Sequence, residues 1–323
     1  MRSCSGNKSI TFLAASLLAA ASLPACSGGG GSSRSEVAIQ FMAVHAGAEV
    51  TCDTPIAGMG TDGATTVGMG DLRFFVSNVR LFDAAGQEIP SELIANDFQY
   101  TDETGSVALV DLTGNASGFC TDSAIAFSEG TARVNNQVVL DAQSSDVASI
   151  RFDIGVPQAL MKNVLSTYSA EDAPSPMGEL HWSWAGAYRN FVLNFTVQDA
   201  NGAPGEGYVH VGSRDCGGNG VVALTDRDAC GRLNTPQVEL AHFNPTTDTV
   251  AVDVGELLHG LSFVTTLYDS EPPFNPIGQG VGAACHSAPV SAQPDCGPVF
   301  ANLGVDASNG LSSASLNRVF SSN

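Results

Sequence analysis

Phe191-Val192-Leu193-Asn194-Phe195-Thr196-Val197-Gln198 places an apolar residue at every second position, and Tyr208-Val209-His210-Val211 repeats the habit ten residues on. Period-two alternation puts Phe191, Leu193, Phe195 and Val197 on one face of a β-strand. The stretch between the two runs, Asp199-Ala200-Asn201-Gly202-Ala203-Pro204-Gly205, is made of turn formers, so the pair reads as a β-hairpin. The same alternation recurs outward in both directions. Val37, Ile39, Phe41 and Ala43 share a face that His45 continues. Leu72, Phe74 and Val76, with Phe75, Val79 and Leu81 opposite, form a run buried partly on both sides. Val107–Leu112, Ala148–Ile154, Val238–His242 and Val250–Val254 supply further strands. Helical signal is confined to Pro157–Leu165 and Gly255–Leu261. Short strands separated by Gly, Pro, Asn and Asp predict an all-β fold, an antiparallel β-sandwich or distorted barrel with a few short helices, stapled by disulfides.

The amino terminus predicts an exported, lipid-anchored protein. Met1-Arg2 and Lys8 precede an apolar run from Ile10 to Leu23, and small residues then lead to Cys26. A charged start followed by a short apolar segment is a secretory signal, too short to be a membrane span. Residues 1–25 are therefore read as a lipoprotein signal peptide, with Cys26 as the lipidated residue. Residues 26–35, rich in Gly and Ser, form a flexible tether. The folded β domain is expected over 36–305, and 306–323, rich in Ser and Asn, as a flexible tail on the surface. The expected location is the periplasm or outer membrane. With 33 Asp and Glu against 13 Lys and Arg, the formal charge is −20, which argues against nucleic-acid binding.

Setting Cys4 and Cys26 aside leaves Cys52, Cys120, Cys216, Cys230, Cys285 and Cys296. An even number in an exported chain reads as three disulfides, for which fifteen connectivities exist in principle. The near pairs Cys216–Cys230 and Cys285–Cys296 suit short staples, leaving Cys52–Cys120 to join distant segments. Oxidised cysteines offer no thiolate, which argues against a blue-copper centre and against a cysteine nucleophile. No Gly-x-Ser-x-Gly elbow or His-Glu-x-x-His pattern is present.

Any metal site must therefore be assembled from separate strands. The six histidines are His45, His181, His210, His242, His259 and His286. His45 and His210 end alternating runs, and His181 adjoins Trp182-Ser183-Trp184, which holds both tryptophans of the chain. His286 follows a cysteine of an expected disulfide loop and reads as an exposed loop residue. Read alone, Trp182 and Trp184 share a strand face and are as compatible with core packing as with function.

Several stretches together resemble one family. They are Leu72-Arg73-Phe74-Phe75-Val76-Ser77-Asn78-Val79-Arg80-Leu81, Phe152-Asp153-Ile154-Gly155-Val156-Pro157, Ser175-Pro176-Met177, Trp182–Arg189, and His210-Val211-Gly212-Ser213 leading to Cys216. Their order and spacing across most of residues 36–305 resemble the MbnP-like family of extracytoplasmic copper-binding proteins, also called metallo-mystery-pair four-Cys proteins. The resemblance implies a non-enzymatic protein holding one copper ion, in copper trafficking or storage. It also implies a dihaem, MauG- or peroxidase-like partner that oxidises a tryptophan, Trp182 or Trp184, to kynurenine. His210 matches the family's His-x-Gly-Ser segment. His45 and His181 are the histidines expected to complete the ligand set, with Ser183 and Tyr188 as groups that orient the imidazoles. Two features depart from the family: His45 lies where the first-strand pattern is variable, and Lys162-Asn163 stands where relatives often carry Asn-His. Two other classes fit the same chain, an acidic structural or adhesive surface lipoprotein and a copper-dependent oxidoreductase.

Overall fold

The computed structural model describes residues 34–115, 118–119, 134–183, 187–215, 230–269 and 273–323. The signal, the tether as far as Ser33, Cys26, Cys120, Trp184 and Cys216 lie outside the described residues. The strands that build the core and the site are β1 (Ser35–His45), β2 (Thr65–Phe82), β3 (Gly105–Asp111), β4 (Gln137–Ala142), β5 (Ser149–Ile154), β6 (His181–Ser183), β7 (Ala187–Gln198), β8 (Pro204–Gly212), β9 (Gln237–Leu240), β10 (Thr249–Asp253), β11 (Val264–Tyr268), β12 (Pro276–Cys285) and β13 (Phe320–Ser322). Helix α1 spans Gln158–Thr167, α2 Val254–Leu257 and α3 Cys296–Asn302.

Two sheets face each other as a β-sandwich. The smaller runs β13-β10-β1-β4 and ends on a short strand, Ser91–Leu93. The larger runs β9-β5-β2-β7-β8-β12-β11, and β3 also pairs with β2. Alternation drives this layering, because each strand turns one apolar row inward. Phe41 of β1 meets Phe74 and Phe152 of the larger sheet edge-on at 5.7 and 5.8 Å. Phe74 stacks on Phe191 at 5.5 Å. Such offset and edge contacts add to the burial of the rings themselves. The β7–β8 hairpin forms as its sequence predicts, with Gln198 opposite Pro204 across the turn.

The outer face of the larger sheet carries a second, smaller core. Phe75, Val107, Leu109 and Val192 there receive Leu160, Met161 and Val164 of α1, together with Met177, Leu180 and Tyr188. Pro157, with φ −55°, stands at the N-terminus of α1, where a missing N–H costs nothing.

β2 changes face twice. Val67 and Met69 point into the main core, then Leu72, Phe74 and Val76 do, then Leu81 does. The first switch accompanies a register shift against β7 between Asn194 and Phe195. The second accompanies a shift against β5 between Arg151 and Asp153, beside Asn78 at φ +52°. An extra residue in one strand reverses its parity. Leu81 therefore lies with Phe74, not opposite it as strict alternation predicts.

Two further expectations are corrected. Residues 306–323 are not a loose tail: Ser312–Asn317 pairs with Leu303–Val305, and β13 pairs with β10. Phe320 enters the main core and packs edge-on against Phe74, Phe152 and Phe191. The serines and asparagines around it are polar, but Phe320 and the fully buried Val319 beside it anchor the segment. Helix α3 also lies where the sequence offers little helical periodicity.

Candidate metal centre

β8 and β12 run parallel, with Glu206 opposite Gly282 and Val209 opposite Cys285. One step beyond that ladder, the same register brings His210 beside His286. Val209 and Val211 face the main core, so alternation sends His210 to the outer face of the larger sheet. The two imidazoles meet edge-on with centroids 4.7 Å apart. Trp182 of β6 closes over them at 5.8 Å from His210 and 6.2 Å from His286. Tyr208 borders the pair, 5.6 Å from His286 and 6.1 Å from His210. Phe274 stacks on His286 from a further side at 6.4 Å.

Several contacts hold the His286 segment in place. Cys285 is bonded to Cys296 in the expected short staple. Cys52 and Cys230 are also disulfide-bonded. The His286 backbone N–H donates to Gln293 Oε1 at 2.7 Å, and Gln293 is itself fully buried. Ser287 donates to the His210 carbonyl at 3.1 Å and accepts from the Gly212 N–H at 2.7 Å. Gly212 has to be glycine: a Cβ there would sit 2.6 Å from the Tyr188 carbonyl oxygen and 2.9 Å from Trp182 Nε1.

Both imidazoles are buried. Burial pushes the His210 pKa well below its ordinary range, aided by His286, Arg189 and Arg73. Burial likewise lowers His286 to about 4, aided by Arg189 and Arg214. At neutral pH both rings are therefore uncharged and keep a lone pair, the form that binds metal. His210 Nε2 lies 2.7 Å from Asn194 Oδ1. Among the described residues, His286 Nε2 and Trp182 Nε1 are buried with no hydrogen-bond partner, an uncommon condition for buried polar atoms.

The structure brings together only some of the residues expected at the site. His286 is not an exposed loop residue: parallel pairing seats it against His210, a relation no local pattern in the sequence reveals. His45 is not brought to His210. It ends the central strand of the smaller sheet, with Nδ1 3.9 Å from Asp253 Oδ1, whereas His210 faces away from that sheet. His181 lies next to Trp182, and its carbonyl accepts from Arg189 Nη2 at 3.1 Å. Tyr188 donates its hydroxyl to the Met177 carbonyl at 2.6 Å and packs on Phe75, so it serves the second core. Nothing is described of the Ser183 side chain. The group that holds an imidazole is Asn194, which sequence reading missed because an asparagine inside an alternating run carries no metal signature.

The donor chemistry fits copper. Imidazoles suit it, and the buried His286 Nε2 makes no hydrogen bond among the described residues that a metal would have to displace. Among the described residues no cluster of three or more His, Cys, Asp or Glu is gathered. Two imidazoles and an indole are what the site offers, and an indole N–H has no lone pair to give.

A disulfide-stapled β-sandwich with a buried imidazole pair under a tryptophan defines the class of protein. The MbnP family model matches residues 34–276. The chain belongs to the MbnP family. Its structure is similar to that of MbnP from Methylosinus trichosporium, at 26% identity and a TM-score of 0.65, over 90% of this chain and 99% of that one. Comparison with curated proteins gives no significant match.

Proposed function

We propose that this chain is an extracytoplasmic, lipid-anchored copper-binding protein, not an enzyme, that holds one copper ion at His210 and His286. Its site is completed when a dihaem, peroxidase-like partner oxidises Trp182 to kynurenine, and its role is copper trafficking or storage. The observation that carries this reading is the meeting of His210, His286 and Trp182 around a buried imidazole nitrogen that has no partner among the described residues. Two imidazoles leave a copper ion short of donors. Opening the indole between C2 and C3 takes up two oxygen atoms from the partner's oxidant. Hydrolysis then releases C2 as formate, leaving an aryl ketone and an aniline nitrogen. Both are polar donors where the indole has none. Trp182 is half-buried, so its ring is close enough to the surface for a redox partner to reach. When bound, copper would bring a Lewis-acidic, redox-active centre with a tetragonal preference as Cu(II).

The test is expression with and without the dihaem partner, followed by peptide mass spectrometry and metal analysis. The expected result is kynurenine at position 182 and one equivalent of copper only with the partner. His286→Ala should lose copper at least tenfold. Unmodified tryptophans together with unchanged copper affinity would overturn the reading, as would undiminished copper binding by His286→Ala.

A further inference from the structure

We propose that Asn194 is the positioning residue of this site, fixing His210 as the Nε2–H tautomer and leaving Nδ1 as its metal-facing lone pair. The use made of that lone pair rests on the copper reading above; the tautomer does not.

Behind His210 a buried polar row crosses the outer face of the sheet. Asp71 lies directly opposite Asn194 across β2 and β7, and Arg73 lies opposite Val192, which in turn lies opposite His210. The Arg73 guanidinium grips Asp71 with two nitrogens, Nε to Oδ1 at 2.8 Å and Nη2 to Oδ2 at 2.7 Å. Thr113 donates its hydroxyl to Asp71 Oδ1 at 3.1 Å. A carboxylate held this way can only accept. The Asn194 amide must therefore turn its NH2 toward Asp71, where Nδ2 stands 3.4 Å from Oδ2. The opposite amide orientation would set two acceptors against each other.

With the amide so oriented, Asn194 Oδ1 faces His210 Nε2 at 2.7 Å, and only an N–H can occupy that contact. A neutral imidazole has one N–H, so Nδ1 is the acceptor. No hydrogen bond engages Nδ1 among the described residues. Arg73, Asp71 and Asn194 are 2% exposed or less, and an apolar row at those positions would seal the face at lower desolvation cost. A polar row retained there has a use in orientation. It also gives the two histidines different roles, with His210 held through Nε2 and His286 carrying its orphaned atom at Nε2.

The direct measurement is a long-range 1H–15N correlation on histidine-labelled, metal-free wild-type protein at neutral pH, with His210 assigned through His210→Gln. The expected spectrum shows a protonated Nε2 and a pyridine-like Nδ1 for His210. Asn194→Leu keeps the volume and removes the acceptor, so its His210 should populate the other tautomer. Its copper affinity should fall by roughly 10–100-fold, the range for loss of such an outer partner. An Nδ1–H tautomer in the wild type overturns the proposal without any variant. A folded Asn194→Leu with unchanged tautomer and copper affinity overturns it as well. An Nε2–H tautomer in a protein that takes up no copper supports the assignment and refutes the copper reading instead.

Discussion

Gly212→Ala is a perturbation whose effect can be worked out from the geometry, and it replaces neither candidate imidazole ligand. Gly212 does not adopt a positive φ, so alanine brings no intrinsic backbone strain there. The whole effect must then come from the added Cβ. It would stand 2.6 Å from the Tyr188 carbonyl oxygen and 2.9 Å from Trp182 Nε1. The carbonyl is fixed by strand pairing, with Arg189 opposite Gly212 and Phe191 opposite Val211. The indole cannot swing freely because His210 and His286 flank it. Overpacking of this kind costs about 1–3 kcal/mol. A domain of about 150–250 residues loses roughly 2–4 °C per kcal/mol and a larger one somewhat less, so melting should fall by a few degrees. Emission should be read in a Trp184→Phe background, where Trp182 is the only tryptophan, and it should shift to the red as the ring tilts out. Gly202→Ala is the control: its φ is +81° and no atom lies within 4 Å, so it should lower stability without moving Trp182 emission. Unchanged melting and unchanged emission in Gly212→Ala would refute the packing of Trp182 on this strand.

Three further outcomes are expected. Asp111 is buried with its pKa pushed up to about 7, so the folded state holds a proton there that the unfolded chain releases near 3.8; Asp111→Asn should gain stability relative to wild type as pH rises through that interval, measured by denaturant melts at pH 5 and pH 8. His210 and His286 act with the opposite sign: their folded pKa values lie below the unfolded 6.5, so metal-free Asp111→Asn should lose stability as pH falls from 6.5 toward 4, and replacing both histidines by glutamine should flatten that slope. Phe320→Ala should cost about 3–5 kcal/mol in equilibrium unfolding, because the ring is a shared neighbour of Phe74, Phe152 and Phe191; a loss under 1 kcal/mol would mean the C-terminal strand is not part of the core.

The strands were legible because alternation is a local property. Phe191 to Val197, Val37 to Ala43 and the turn between Gln198 and Pro204 can each be placed without knowing a neighbour. Local reading failed where one strand's parity depends on its partner. Leu81 looked opposite to Phe74 because the residue that resets the phase, Asn78, announces itself only through a positive φ and a register shift. Phe320 was hidden for a related reason, since one adjacent apolar pair, Val319-Phe320, has no period. The site was half legible. His210 and Trp182 stood out by motif and rarity, whereas His286 and Asn194 are ordinary residues until two pairings are known.

Those pairings also account for the asymmetry of the site. β7–β8 is a hairpin whose register follows from its turn, so Asn194 is bound to His210 by short-range geometry. β8 and β12 are parallel and distant in sequence, and no turn sets their register. The Cys285–Cys296 staple, Gln293 and Ser287 hold the second imidazole in the place that a turn holds the first. The Asn194–His210 contact should therefore survive mild reduction, while His286 should become exposed. Diethylpyrocarbonate labelling before and after reduction reads this directly. His286 should gain reactivity and His210 should not; equal labelling of both rings would mean that the hairpin and the staple do not hold them independently.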